Sequence, residues 1–122
     1  MSDALIIMAH GSRAEAANDE FRVLVERVAE RGHDYVAVSP CFLELARPSL
    51  LEALQRIEHQ PVTRVLVYPL FFNSGKHVGR DIPAQVEEAR ARHPHLRIEL
   101  LDYFGRADEL ADLVGRHIQA QR

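Results

Sequence analysis

Two histidines and a glutamate offer the metal or acid–base chemistry of this sequence. His10 opens the polar stretch His10-Gly11-Ser12-Arg13, Glu44 closes Cys41-Phe42-Leu43-Glu44, and His77 closes Asn73-Ser74-Gly75-Lys76-His77. Each stretch follows a run of apolar or β-branched residues, so each reads as the loop leaving a strand. Neutral imidazole and carboxylate are suitable ligands for divalent first-row metals. They are also the usual general bases near neutral pH. Taken singly, His10 and His77 could equally be loop histidines bonded to backbone, and Glu44 a solvated carboxylate or a charge at a helix N-terminus. The distinction depends on whether the fold gathers them.

The elements that must position these residues alternate along the chain. Leu5-Ile6-Ile7-Met8-Ala9 is a continuous apolar run that stops at His10, as a buried strand would. A helix follows to about Gly32, carrying Phe21, Leu24, Val25 and Val28 on one face. Tyr35 to Ser39 is the second predicted strand, ended by Pro40, and Pro48 opens a helix with Leu51, Leu54 and Ile57. Val65 to Tyr68 is the third strand, followed by a loop from Phe71 to Arg80. Asp81 is the expected N-cap of the next helix, with Pro83 in its first turn, and that helix runs to about His93. Ile98 to Leu101 is the fourth strand, and Leu110, Leu113, Val114 and Ile118 mark a last helix. Strands that read as unbroken apolar runs belong to parallel sheets covered on both faces. The expectation is an α/β fold: one doubly wound, four-stranded parallel sheet with helices on both faces, in a single domain spanning 1–122. Such sheets bind ligands outside the carboxyl ends of their strands, which places His10, Glu44 and His77 on one edge.

Composition narrows the function classes. The 122 residues carry 15 basic and 18 acidic side chains, a formal charge of −3, with 47% hydrophobic and 27% charged residues. That balance argues against a duplex-binding protein, which needs a basic face, so no nucleic-acid partner is expected. The lone Cys41 excludes an internal disulfide framework and a cysteine-based zinc or iron–sulfur site within one chain, and reads as a packed small hydrophobe. No apolar run approaches the roughly 18 residues needed to span a bilayer, and the N-terminus has no signal-peptide pattern; a cytoplasmic protein without membrane contact is expected. There are seven histidines. His93 and His95 flank Pro94, His33 and His59 fall at the amino end of the sheet, and His117 belongs to the last helix, all with structural readings.

At the loops the sequence resembles the short CbiX-type sirohydrochlorin chelatases of the class II chelatase group. The resemblance is carried by Ala9-His10-Gly11-Ser12-Arg13, by Phe42-Leu43-Glu44 with Pro48-Ser49, and above all by the stretch from Pro69 through His77 to Pro83. It covers essentially the whole chain, and departs at Phe72, where the family often has leucine. The resemblance implies an enzyme that inserts a divalent metal into sirohydrochlorin without ATP and without an organic cofactor, in cobalamin or siroheme biosynthesis. Co²⁺ is the expected metal, with Fe²⁺ and Ni²⁺ as alternatives. His10 and His77 match the family's metal-site histidines, and Glu44 an acidic position in the same cleft. Chains of this length are similar to one half of longer chelatases, so a homodimer with the cleft between subunits is expected.

Sirohydrochlorin bears many carboxylates. Arg13, Lys76 and Arg80 are therefore candidates to orient it through charge-assisted hydrogen bonds; ordinary surface cations are the alternative. Backbone N–H groups around Ser74 and Gly75 could serve the same purpose, while Gly75 and Gly79 are otherwise expected to meet a conformational need. Two other classes compete with the chelatase. A metal carrier would hold metal at His10 and His77 without catalysis. A histidine phosphatase is suggested by His10-Gly11, but it requires an arginine where Ala9 stands.

Overall fold

Five consecutive buried residues, Ala4 to Met8, form the heart of the first strand, β1 (Asp3–Ala9). A run with no polar alternation folds this way because β1 is central and both of its faces are covered. It pairs in parallel with β2 (Tyr35–Phe42) on one side and with β3 (Arg64–Pro69) on the other, and β4 (Arg97–Leu100) pairs in parallel with β3. The order is β2-β1-β3-β4, the doubly wound parallel sheet expected from the sequence. The computed structural model describes residues 2–31 and 34–122; the predicted Gly32 helix stop and His33 lie outside the described residues.

The two faces of β1 feed two cores. Ala4, Ile6 and Met8 pack with Val65 and Val67 under α2 (Leu50–Ile57) and α3 (Ile82–Arg92), through Leu54, Ile57, Ile82 and Val86. Leu5 and Ile7 face α1 (Glu15–Ala29), where Phe21 and Val25 meet Phe42. Each such side chain, fully buried, contributes about 1.5–3 kcal/mol of hydrophobic stabilisation.

Three local readings are corrected. β2 does not end before Pro40 but continues to Phe42. It is an edge strand, and there a proline can sit without removing a ladder hydrogen bond. The helix after it is opened by Ser49 rather than Pro48. The Ser49 hydroxyl accepts from the Glu52 N–H at 3.2 Å, and the Glu52 carboxylate accepts from the Ser49 N–H at 2.9 Å, a reciprocal capping box. The segment 77–81 is also not loop: it forms a π-helical turn, His77–Asp81, running directly into α3. Asp81 therefore has helical dihedral angles and caps nothing, while Pro83 sits in the first turn of α3 as expected.

The Arg47 guanidinium and the Ser49 N–H hold the Glu52 carboxyl down to about 2 from its ordinary 4.5. A carboxyl whose pKa is lower when folded contributes stability above its ordinary range and loses it as pH falls toward the folded value. Glu52→Gln is accordingly expected to lower the Tm at neutral pH, with the gap to wild type closing as pH falls from about 4.5 towards about 2. Thermal melts followed by circular dichroism across that range check this; a pH-independent gap would mean that packing, not the charge, is at stake.

The last helix, α4 (Leu110–Gln119), is present as predicted, but none of its residues is buried. It packs chiefly on the short 3-10 turn Phe104–Arg106 that precedes it, rather than completing the layer beside α1. No helix among the described residues is long and apolar enough to cross a membrane.

Candidate metal centre

The pairing of β1 with β2 extends past the strand ends and creates the site. The Leu43 N–H donates to Ala9 O at 2.8 Å and the Glu44 N–H to His10 O at 3.0 Å, so the two loops leave the sheet side by side. Gly11 permits this. Its φ is +98°, and a Cβ there would lie 1.8 Å from the Glu44 carbonyl oxygen, so only glycine fits both conformation and space. Leu45, directly after Glu44, holds a left-handed φ of 68°, a conformation costly for a bulky residue and concentrated at functional sites. Asn18 secures the first loop from α1: its side chain accepts from the Ser12 N–H at 2.9 Å and donates to Ser12 O at 2.8 Å. On the third side, the Leu70 N–H donates to Met8 O at 2.8 Å, starting the segment that carries His77.

These three loops bring His10, Glu44 and His77 together, with one ligand atom from each lying within 4.8 Å of the others. His10 Nε2 is 2.8 Å from Glu44 Oε2, and the two imidazole rings stand 4.7 Å apart at 65°. His10 Nδ1 lies 2.9 Å from the Gly11 carbonyl oxygen. A carbonyl only accepts, so Nδ1 donates to it, and Nε2, which faces the acceptor-only Glu44 carboxylate, is the atom that a cation would take in place of a proton. His77 Nδ1 lies 2.9 Å from Asp81 Oδ2. The carboxylate accepts that proton, which again leaves Nε2 as the donor atom for a cation. Two imidazoles and one carboxylate form a set able to hold a divalent first-row cation while leaving coordination positions open. The three side chains are 39%, 53% and 42% exposed respectively, so the set faces solvent at the open edge of the sheet.

Asp81 is the residue that sequence reasoning misplaced. Its i, i+4 spacing from His77 was visible, but only a helical segment 77–81 turns that spacing into contact. A carboxylate on the far nitrogen of a metal-binding histidine fixes its orientation and is worth about 10–100-fold in affinity or activity. Asp81→Asn is expected to weaken Co²⁺ binding by about that factor while leaving the melting curve nearly unchanged; isothermal titration checks it, and unaltered affinity would show that the Asp81 tether is idle.

The remaining candidates sit around this set. Arg13, Ser74, Gly75 and Lys76 are exposed on the loops leading from His10 and to His77, and Arg80 is exposed on the π-helical turn that His77 opens. Among the described residues Arg13, Lys76 and Arg80 make no ion pair, unlike the paired Arg22, Arg47 and Arg64. The expected conformational need at Gly75 and Gly79 is absent: neither has a positive φ, and a Cβ at Gly75 meets nothing within 4 Å. Cys41 is buried, with its thiol pKa pushed up by desolvation, in keeping with a packing role. His93 is buried beside Glu58 at 3.7 Å, away from the site.

Comparison with known proteins gives this edge a context. The CbiX protein of Marinobacter aquaeolei VT8 superimposes with a TM-score of 0.85 at 29% identity, covering 98% of this chain and 96% of that one. The sirohydrochlorin chelatase SirB from Bacillus subtilis subspecies spizizenii, solved in complex with cobalt, superimposes with a TM-score of 0.87 at 27% identity, covering 98% of this chain and 51% of SirB. The chloroplastic sirohydrochlorin ferrochelatase of Arabidopsis thaliana is 31% identical over 118 residues, 97% of this chain and 52% of that protein. Curated relatives carry both ferrochelatase and cobaltochelatase names, and the chain spans about half the length of the first of them. The CbiX family profile matches residues 4–121. With the fold and nearly the whole length in agreement, the chain belongs to the CbiX family.

Proposed function

We propose that this chain is a sirohydrochlorin chelatase, inserting a divalent metal into the macrocycle without ATP. The observation that carries the reading is the His10–Glu44–His77 set at the solvent-facing edge of a CbiX-family sheet. The metal is a substrate here. The Nε2 atoms of His10 and His77 and the Glu44 carboxylate hold it, and the open positions admit the macrocycle nitrogens. Insertion exchanges one M²⁺ for two pyrrole N–H protons, so two protons must leave. Imidazole and carboxylate side chains that give up the cation are available at that moment to accept them. Three labile ligands suit delivery better than a thiolate cage would, and transfer to four macrocycle nitrogens needs no nucleotide to drive it.

Arg13, Lys76 and Arg80, with the N–H groups near Ser74 and Gly75, would orient the substrate carboxylates by charge-assisted hydrogen bonds. Residues 1–122 act as one chelatase unit in this reading. A homodimer supplies the second half of the cleft, as the longer relatives' matching to about half their length supports. Co²⁺ is the metal we favour, and Fe²⁺ is the second reading, favoured by the ferrochelatase names among relatives. The test is anaerobic turnover of sirohydrochlorin with Co²⁺, Fe²⁺ and Ni²⁺ in parallel, read from the visible spectrum of the macrocycle. Fastest turnover with Co²⁺ supports the assignment, fastest turnover with Fe²⁺ corrects the metal, and metal binding with no turnover for any of the three makes the protein a carrier.

A further inference from the structure

One peptide unit beside the metal centre is held at both ends, by two different segments. Between Leu43 and Glu44, the Glu44 N–H donates to His10 O at 3.0 Å and the Leu43 carbonyl accepts from the Gln85 side-chain amide at 3.1 Å. The first bond ties Glu44 to the loop that carries His10. The second ties it to α3, which continues from the π-helical turn opened by His77. Along that helical stretch Asp81 reaches back to His77, and Gln85, four residues further on, reaches across to the Glu44 loop. Gln85 is half-buried, and among the described residues this is the only hydrogen bond its side chain makes.

Little regular structure fixes the backbone on the far side of Glu44. Residues 43–47 belong to no helix or strand, and Leu45 holds the left-handed φ of 68°. A peptide bonded at its N–H alone can swing about that bond, and the swing carries the Glu44 Cα and its carboxylate away from His10 and His77. Ligands must be held to within about 0.5 Å of their working positions to share one ion. Bonds at the N–H and at the carbonyl together fix the peptide plane. The second donor is also neutral. An amide N–H supports the carbonyl without placing a positive charge beside a site that takes a divalent cation.

We infer that Gln85 is a positioning residue of the metal centre, acting through the Leu43 carbonyl to hold Glu44 where it can share one cation with His10 and His77. The inference rests on the metal-centre reading above and adds a residue that touches neither cation nor macrocycle. Because α3 carries Gln85 and continues the turn that carries His77 and Asp81, one rigid segment sets the position of two ligands. It orients His77 through Asp81 and restrains Glu44 through Gln85.

The test is Co²⁺ titration of the full chain, read by calorimetry and by the visible cobalt bands, with Gln85→Met as the principal variant. Methionine keeps the length of the side chain and removes the donor. It also covers the carbonyl from the groove of about 200 Å³ between α2 and α3 that Gln85 lines, so that water does not replace the amide. The expected result is a loss of about 10-fold in Co²⁺ affinity, the lower end of what partners outside the ligand set contribute, with the cobalt bands moved toward those of Glu44→Gln. In a Glu44→Gln background the same substitution is expected to change the affinity by less than about 2-fold. Gln85→Leu, also without a donor, takes its place if the methionine variant fails to fold. A lowered melting temperature with unchanged affinity and bands overturns the inference and leaves Gln85 as a contact that serves the fold. An equal loss in both backgrounds overturns it too, since the effect then does not pass through Glu44. Unchanged Co²⁺ binding in Glu44→Gln alone removes Glu44 from the metal set, and the inference with it. Sirohydrochlorin turnover of the wild type, measured on the same preparations, reports on the chelatase reading separately from all of these.

Discussion

Replacing His77 by alanine is expected to lower the rate of sirohydrochlorin metallation by at least about 100-fold, since even a partner one bond removed from a ligand is worth about 10–100-fold. The side chain is 42% exposed and its polar contact is with Asp81 alone among the described residues, so its loss leaves the fold intact and the melting temperature near that of wild type. His10→Ala is expected to do the same. Its ring is 39% exposed and faces Glu44 and His77 rather than the core. The two substitutions act on one metal-holding unit, so the double variant should be little slower than either single one. Steady-state turnover with parallel titration of Co²⁺ checks both. Full rates in both single variants would contradict the site.

Gly11→Ala is expected to cost both stability and activity although glycine has no side chain to take part in chemistry. A Cβ at this position would lie 1.8 Å from the Glu44 carbonyl oxygen, and the φ of +98° is one that alanine rarely adopts. The backbone strain alone is worth about 1–3 kcal/mol, and relieving the clash means moving Glu44 away from His10. Turnover should fall by about as much as on losing a ligand, because a displaced carboxylate leaves two histidines holding the cation. Gly75→Ala is the stability control. Its Cβ meets open space at an ordinary φ, so its effect on folding should stay within about 0.5 kcal/mol. Equal melting temperatures for Gly11→Ala and wild type would refute the close approach of the two loops.

Much of this was legible in the sequence because the strands advertise their burial. Leu5 to Ala9 has no polar alternation, and only a strand covered on both faces reads that way; the carboxyl-edge rule then assigned His10, Glu44 and His77 to one place. What the sequence left open depends on geometry that no residue type announces. Asp81, two residues before Pro83, has the look of a cap, and only the π-helical turn from His77 shifts it into the helix and onto the imidazole. Pro40 looks like a strand end until β2 is known to be an edge. Ser49 and Glu52 show the capping-box spacing in plain sight, but the proline before them drew the helix start one residue early. The pattern of α4 says that one of its faces is to be buried, yet none of its residues is. The tether of Ser12 by Asn18 likewise needed α1 to be laid against the first loop.

The central claim is that metal passes to the macrocycle from His10, Glu44 and His77. It is tested most directly by loading the protein anaerobically with one equivalent of Co²⁺ and mixing it with sirohydrochlorin in a single turnover. The visible cobalt bands of a histidine- and carboxylate-bound ion are followed alongside the macrocycle spectrum. The account predicts that the protein-bound signal disappears at the rate at which cobalt-sirohydrochlorin forms, and that His10→Ala and His77→Ala lose both signals. Metallation at the rate of free Co²⁺ in buffer, or at the wild-type rate in both variants, would contradict it.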